Sequence, residues 1–203
     1  MDTVCFDSKA EHWDAHRSRV QRAENIYNTI ASKITVHRDD TVLDFGCGTG
    51  LLGFHFAKAV KAITFADTSA AMLDQVHKKA AAIRDCTIKT VNLAEDAITE
   101  TYTVIVSLMA LHHVADLNTA IGNLADHVAK GGYICLSDLD VEDGSFHYPD
   151  TAPHNGIDRS IVMETICKSG MQIIFNQTVH IEEKIIDGNT KTYPVFLIIG
   201  KRE

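Results

Sequence analysis

The stretch VLDFGCGTG, residues 42–50, restricts what this chain can fold into more than any other. An apolar run leads into Gly46, Gly48 and Gly50, and the segment behind them, LLGFHFAKAV, has helical spacing. Glycine permits positive φ and close approach of the backbone to a ligand. A helix starting behind such a turn leaves its first N–H groups unpaired. The spacing is G-x-G-x-G. A dinucleotide fingerprint, G-x-G-x-x-G, would need its third glycine at residue 51, where Leu51 stands. The plain reading is a tight strand-to-helix turn; the other is a ligand cradle.

The rest of the chain alternates in the same manner. AITFAD (62–67), CTIKTVN (86–92), TVIVSLM (103–109) and YICLSD (133–138) read as strands. Between them SAAMLDQVHKKAAAI reads as a helix with Ser69 as N-cap, and LNTAIGNLADHVAK as one stopped by Gly131 and Gly132. RSIVMETICKSG (159–170) is a further helix, and QIIFNQTVHI and TYPVFLIIG pair as a terminal hairpin through DGNT, residues 187–190. Strands alternating with helices predict a doubly wound, mostly parallel α/β sheet in a single domain spanning 1–203. Ligands in such sheets bind beyond the carboxyl ends of the strands. Asp67 ends the strand after the glycine turn, which places a carboxylate over the ribose hydroxyls of a bound nucleoside.

Composition narrows the partners. The net charge of −8 disfavours phosphate backbones, so no nucleic acid is expected. No apolar run is long enough to span a bilayer, and the N-terminus lacks the basic start and apolar stretch of a signal peptide. Five scattered cysteines, never in C-x-x-C spacing, fit a reducing cytoplasm.

VLDFGCGTG, FADTSAAML, YTVIVSLMALHHVAD and KGGYICLSDL together resemble the class I S-adenosylmethionine-dependent methyltransferases, in the family's order from Thr41 to Leu139. The likeness is to the small bacterial, ubiquinone/menaquinone-methylase-like type, and EDGSFH and HNGIDR (154–159) echo a subset of small bacterial members. The resemblance implies a Rossmann-like sheet of seven strands with the last antiparallel. It implies S-adenosylmethionine as cofactor and S-adenosylhomocysteine as product. By matched position, Asp44, Gly46, Cys47, Gly48 and Gly50 would surround the methionine part, Asp67 the ribose, and Thr68 and Met72 the adenine. In VNLAED, Leu93 stands where the family usually carries an acid toward the adenine amino group, so backbone groups of Leu93 and Ala94 are expected to serve instead. Leu108 would close over the cofactor.

Methyl transfer from a sulfonium relies on orientation more than on a marked catalytic residue. The end of the fourth strand, SLMALHHV, lacks the Asn/Asp-Pro-Pro-aromatic motif of enzymes that methylate bases or amides. His112 and His113 lie just past it, and with His147 they are the candidate bases. Substrate-side contacts are expected from Trp13, Asp138, Phe146 and His154, with residues 1–38 covering the site and Phe146 and His147 on a lid. The histidines and acids, Asp140 among them, lack tight ligand spacing such as H-x-x-x-H, so no metal is expected. The reading is a methyltransferase acting on a small molecule. A cofactor-binding protein without turnover is the alternative. A nicotinamide oxidoreductase fits less well, given Leu51 and the lack of a Tyr-x-x-x-Lys pair.

Overall fold

Central parallel strands are covered on both faces and must be apolar nearly throughout. β1 (Thr41–Phe45), β2 (Ala62–Asp67) and β4 (Tyr102–Leu108) meet that demand. In the structure, a computed structural model describing residues 6–203, they join β3 (Thr87–Asn92), β5 (Val128–Leu139), β6 (Met171–Ile186) and β7 (Asn189–Arg202) in one sheet of order β3-β2-β1-β4-β5-β7-β6. β1 to β5 pair in parallel, and β7 runs antiparallel to both of its neighbours. This is the expected seven-stranded, doubly wound α/β sheet with its last strand antiparallel.

Alternate side chains feed two cores. Val42 and Val104 face one, with Ile26 and Ile30 of α1 (Arg17–Lys33) and Leu73 and Val76 of α2 (Ala70–Ala80). Leu43 and Ile105 face the other, with Ile121 of α3 (Leu117–Asp126) and Val162 and Ile166 of α4 (Arg159–Lys168). Ser69 caps α2 as expected, accepting from Met72 N. Asp116 and Asp158 do the same for α3 and α4; each such cap is worth about 1 kcal/mol. The terminal hairpin turns at Asp187-Gly188, both at positive φ (49° and 78°), the requirement of a tight two-residue turn.

Two elements differ from the sequence expectation. LLGFHFAKAV forms only a short 3-10 turn, Gly53–Phe56. Packing forces Gly53, because a Cβ there would lie 2.5 Å from Phe65 and 2.7 Å from Asp44. Phe54 and Phe56 are drawn apart onto Phe65 and Tyr27. Helix α3 ends at Asp126, not at the glycine pair. Gly131 and Gly132 lie inside β5, where the register to β4 shifts and a Cβ on Gly132 would meet the Thr103 carbonyl at 2.6 Å.

Helix α1 is tied to β6 by a nearly dry ion pair, Arg22 Nη1 to Glu182 Oε2 at 2.6 Å, with Asn25 and His180 in contact beside it. Among the described residues no helix is long and apolar enough to cross a membrane. Removing one member of a buried pair strands the other charge. Arg22→Ala should therefore cost about 3–5 kcal/mol in urea denaturation, whereas Arg22→Met with Glu182→Leu should restore most of it.

Candidate active site

The cleft lies at the switch between β1 and β4, where the strand order reverses. Its floor is the glycine turn. Gly46 N and Cys47 N both donate to the Ala66 carbonyl, which fastens the turn to β2. Gly46 has φ +64°, and a Cβ there would lie 2.2 Å from Ala110 Cβ, so only glycine fits. Gly48 N donates to Asp67 Oδ2 at 2.7 Å, and Ser69 N to Oδ1 at 2.9 Å. A carboxylate has about four lone-pair sites, so Asp67 keeps acceptor capacity toward the cleft.

This half of the cleft is electrostatically negative. Asp44 is buried and raised to about 7, by desolvation first, despite the Gly53 N–H that it accepts, with Asp67 adding repulsion. Burial raises Asp67 as well, against its backbone donors, and Asp7 adds to the rise. Cys47 is buried, and desolvation pushes its thiol up.

The N-terminal turn, Ala10–Ala15, sits against this floor. A Cβ on Gly48 would stand 3.8 Å from Trp13 Nε1 and 4.0 Å from Met72 Sδ, so Trp13 and Met72 flank that glycine. Arg19 stacks over the Trp13 ring at 3.7 Å. Thr49 donates to Asp14 at 2.5 Å, Lys79 pairs with Asp14, and Ser69 donates to Asp7. Asp7 and Asp14 escaped the sequence reading, because nothing local marks a carboxylate that will dock on a distant loop.

The other half of the cleft is built from β4, β5 and the segment after β5. His112 lies in a 3-10 turn, Leu111–His113, directly behind β4. Its Nδ1 bonds the Asp138 carboxylate, and its Nε2 lies 3.2 Å from His147 Nε2. His113 stacks beside both, and ring nitrogens of the three lie within 4.8 Å of one another. Desolvation, reinforced by the neighbouring His112 ring, lowers His113 to about 3 and His147 to about 4. Both rings are therefore neutral at physiological pH.

Several expected contacts fall elsewhere. Asp138 does not face the cleft. It is fully buried beneath the histidine turn, accepting from Leu111 N, His112 N and Leu139 N as well as from the His112 ring. Burial alone would raise its pKa, but the His112 ring and the N–H donors outweigh it and lower the group. Phe146 is not an open substrate wall. It packs into the core against Tyr193, with the Lys184 ammonium over its ring at 3.8 Å. It anchors the segment that carries His147. The His154 ring is not part of the histidine trio: the residue's backbone N–H donates to the His112 carbonyl, but its Nε2 bonds the Val114 carbonyl, and it lines an outer groove of about 440 Å³ with Val141 and Ile161. Asp140 is held by a two-pronged ion pair with Arg159. The Leu93 and Ala94 N–H groups are engaged by Asp67 O and by the Asn92 side chain, so they are not available to an adenine. Thr68 and Leu108 are half-buried at the ends of β2 and β4. Met109, next to Leu108, holds φ +56°, strain that the sequence does not reveal.

Fold and glycine turn together define a doubly wound α/β domain with an acid-lined turn at the carboxyl edge of its sheet. Comparison with known proteins sharpens this. Residues 43–134 match the family model of a methyltransferase domain. An uncharacterized methyltransferase of Mycobacterium tuberculosis is 30% identical over 110 residues, covering 54% of this chain and 56% of that protein. The chain thus spans about half the length of the curated relative it matches. Among solved structures, the complex between the Haloferax volcanii Trm112 methyltransferase activator and its methyltransferase gives a TM-score of 0.72 at 15% identity, over 97% of this chain and 96% of that one. Magnesium protoporphyrin IX methyltransferase from Synechocystis, solved with S-adenosylhomocysteine, gives 0.70 at 16% identity, over 91% and 83%. Over residues 43–134 the chain is similar to methyltransferase domains, and it shares the fold of solved S-adenosylmethionine-dependent methyltransferases.

The residues present fit that family's cofactor. The turn is glycine where a side chain would fill the cradle, Asp67 retains acceptor capacity, and among the described residues no cation pairs with Asp44 or Asp67, a charge that a sulfonium would supply. Asp44 yields a direct test. Its folded pKa lies above its unfolded one, so folding takes up a proton between the ordinary carboxylate range and about 7. The stability this contributes is complete at low pH and is lost as pH rises through about 7, by at most about 1.4 kcal/mol per pH unit. Asp44→Asn should gain on the parent protein between pH 4.5 and 7.5 in chemical denaturation of the cofactor-free protein, with no further gain above.

Proposed function

We propose that the protein transfers a methyl group from S-adenosylmethionine to a small molecule, releasing S-adenosylhomocysteine. One observation carries this reading: an acid-lined glycine turn at the ends of β1 and β2 and a histidine trio behind β4 and β5 share one edge of the sheet. The first half suits a cationic nucleoside donor, the second an acceptor. The S-adenosylhomocysteine bound in the Synechocystis neighbour supports the choice of cofactor.

The cofactor supplies an activated methyl: the acceptor's lone pair takes the carbon, and the C–S electrons return to sulfur. The protein's task is to align the two. On this reading Asp67 takes the ribose hydroxyls, each charge-assisted hydrogen bond contributing about 1.5–3 kcal/mol. Gly46, Gly48 and Gly50 let the backbone approach the methionine part, with Asp44 and Cys47 beneath it. Met72 and Thr68 flank the adenine, with the Leu93 side chain rather than its N–H beside it. Leu108 closes one wall, and Trp13 covers the other and excludes water. His112, His113 and His147 face the acceptor, and the segment that Phe146 anchors forms its wall. The net charge of −8 supports a small acceptor over a nucleic acid. The same balance of observations supports a reducing compartment, with Cys47, Cys86, Cys135 and Cys167 free.

Thermal unfolding tests the cofactor half. S-adenosylmethionine and S-adenosylhomocysteine should stabilise the protein, by about 2.7 kcal/mol at 100 times the dissociation constant, and NAD should not. Asp67→Ala should abolish the shift. A methyl-donor turnover assay over a metabolite panel tests the rest. A shift with NAD alone overturns the reading, and tight binding without turnover on any acceptor reduces the protein to a cofactor-binding module.

A further inference from the structure

We propose that His112, His113 and His147 form a binding site for one divalent ion of the zinc type, with a coordination position left open toward the cleft. Catalytic zinc sites take three protein ligands and keep the fourth position for water or substrate. Zn–N bonds of about 2.0–2.1 Å in a tetrahedron put ligand nitrogens about 3.3–3.4 Å apart. His112 Nε2 and His147 Nε2 stand 3.2 Å apart. The third ring, His113, brings a nitrogen within 4.8 Å of both others.

The surroundings match the chemistry of ligation. A metal-binding histidine ordinarily donates its second ring nitrogen to a carboxylate or carbonyl, which fixes the tautomer and raises ligand basicity. Asp138 does this for His112: its carboxylate takes Nδ1–H, so Nε2 presents its lone pair toward His147. Phe146, locked against Tyr193 and Lys184, holds the backbone that delivers His147. The sequence conceals such a site because two ligands are adjacent and the third comes from a separate segment after β5.

Its role rests on the methyl-transfer reading. An acceptor whose hydroxyl or thiol binds the open position loses its proton to water, because the ion lowers the group's pKa. The accepting atom is then an anion held in place, and no protein side chain has to act as base. The implied acceptor is a small molecule with an ionisable O–H or S–H group.

Metal binding is tested without the cofactor. The full chain, stripped with a chelator, is titrated with Zn2+ by calorimetry and with Co2+ by visible absorption. The expected result is one ion per chain and the intense visible bands of tetrahedral cobalt. His147→Gln and His113→Gln, checked for folding by circular dichroism, should lose that binding, while exposed His37→Ala keeps it. Asp138→Asn, which acts through His112, should weaken affinity by about 10–100-fold without abolishing it. Absence of stoichiometric binding, or binding that survives both glutamine variants, overturns the proposal. Stabilisation by S-adenosylhomocysteine in the presence of chelator, measured alongside, separates the two readings. If that shift persists while no metal binds, only the metal proposal fails. If metal binds the trio without the shift, the methyl-transfer reading fails and the metal site stands.

Discussion

The switch between β1 and β4 is the constraint on which the rest of the molecule depends. β1 pairs with β2 on one side and β4 on the other, so the connections behind them leave toward opposite faces and open a cleft. The chain crosses the cleft floor at Gly46, whose backbone lies so close to Ala110 that no side chain fits between them. That one close approach locks the turn behind β1 to the segment behind β4. Gly48 can then reach Asp67, and His112 can settle over Asp138. The acidic glycine turn and the histidine turn are placed by the same backbone contact.

The two halves are opposite in electrostatic character, and burial produces both. Desolvation disfavours whichever form carries charge. On the glycine side it acts on carboxylates and raises Asp44 and Asp67, so that side is best satisfied by a cation. On the histidine side it acts on imidazoles and keeps His113 and His147 neutral. A single physical effect thus acts on both sides, raising the carboxylates and keeping the imidazoles neutral. Asp7, carried in by the N-terminal segment, docks on Ser69 and deepens the negative side, while Asp14 docks on Thr49 and is paired by Lys79.

Much of this was legible in the sequence, for identifiable reasons. The glycine turn, Asp67 and the apolar strands are local patterns whose physics is complete within a few residues, and the doubly wound, mostly parallel sheet follows from their alternation with helices. Ser69 as cap and Asp187-Gly188 as turn belong to the same class. What failed depends on partners distant in sequence. LLGFHFAKAV has helical spacing, but Gly53 must pack against Phe65 and Asp44, and the helix shrinks to one turn. Asp138 looked like a cleft acid because strand ends usually face ligands. Only the fold shows that the turn after β4 passes over it. Phe146 read as an open aromatic until Tyr193 and Lys184 closed on it from β7 and β6.

Asp138 shows why the histidine turn is rigid. An isolated buried carboxylate is prohibitively costly, and one that persists must be hydrogen-bonded throughout. Here Leu111 N, His112 N and Leu139 N converge on it with the His112 ring. Two of those donors belong to the turn that carries the ring, so the charge that orients His112 also folds the segment presenting it. The chain enters that turn through Met109 at φ +56°, a conformation costing on the order of 1–3 kcal/mol. The convergent donors offset that cost only while the carboxylate stays ionised. Turn geometry, ring tautomer and the charge on Asp138 are therefore one coupled state, and the position of His112 Nε2 follows from it.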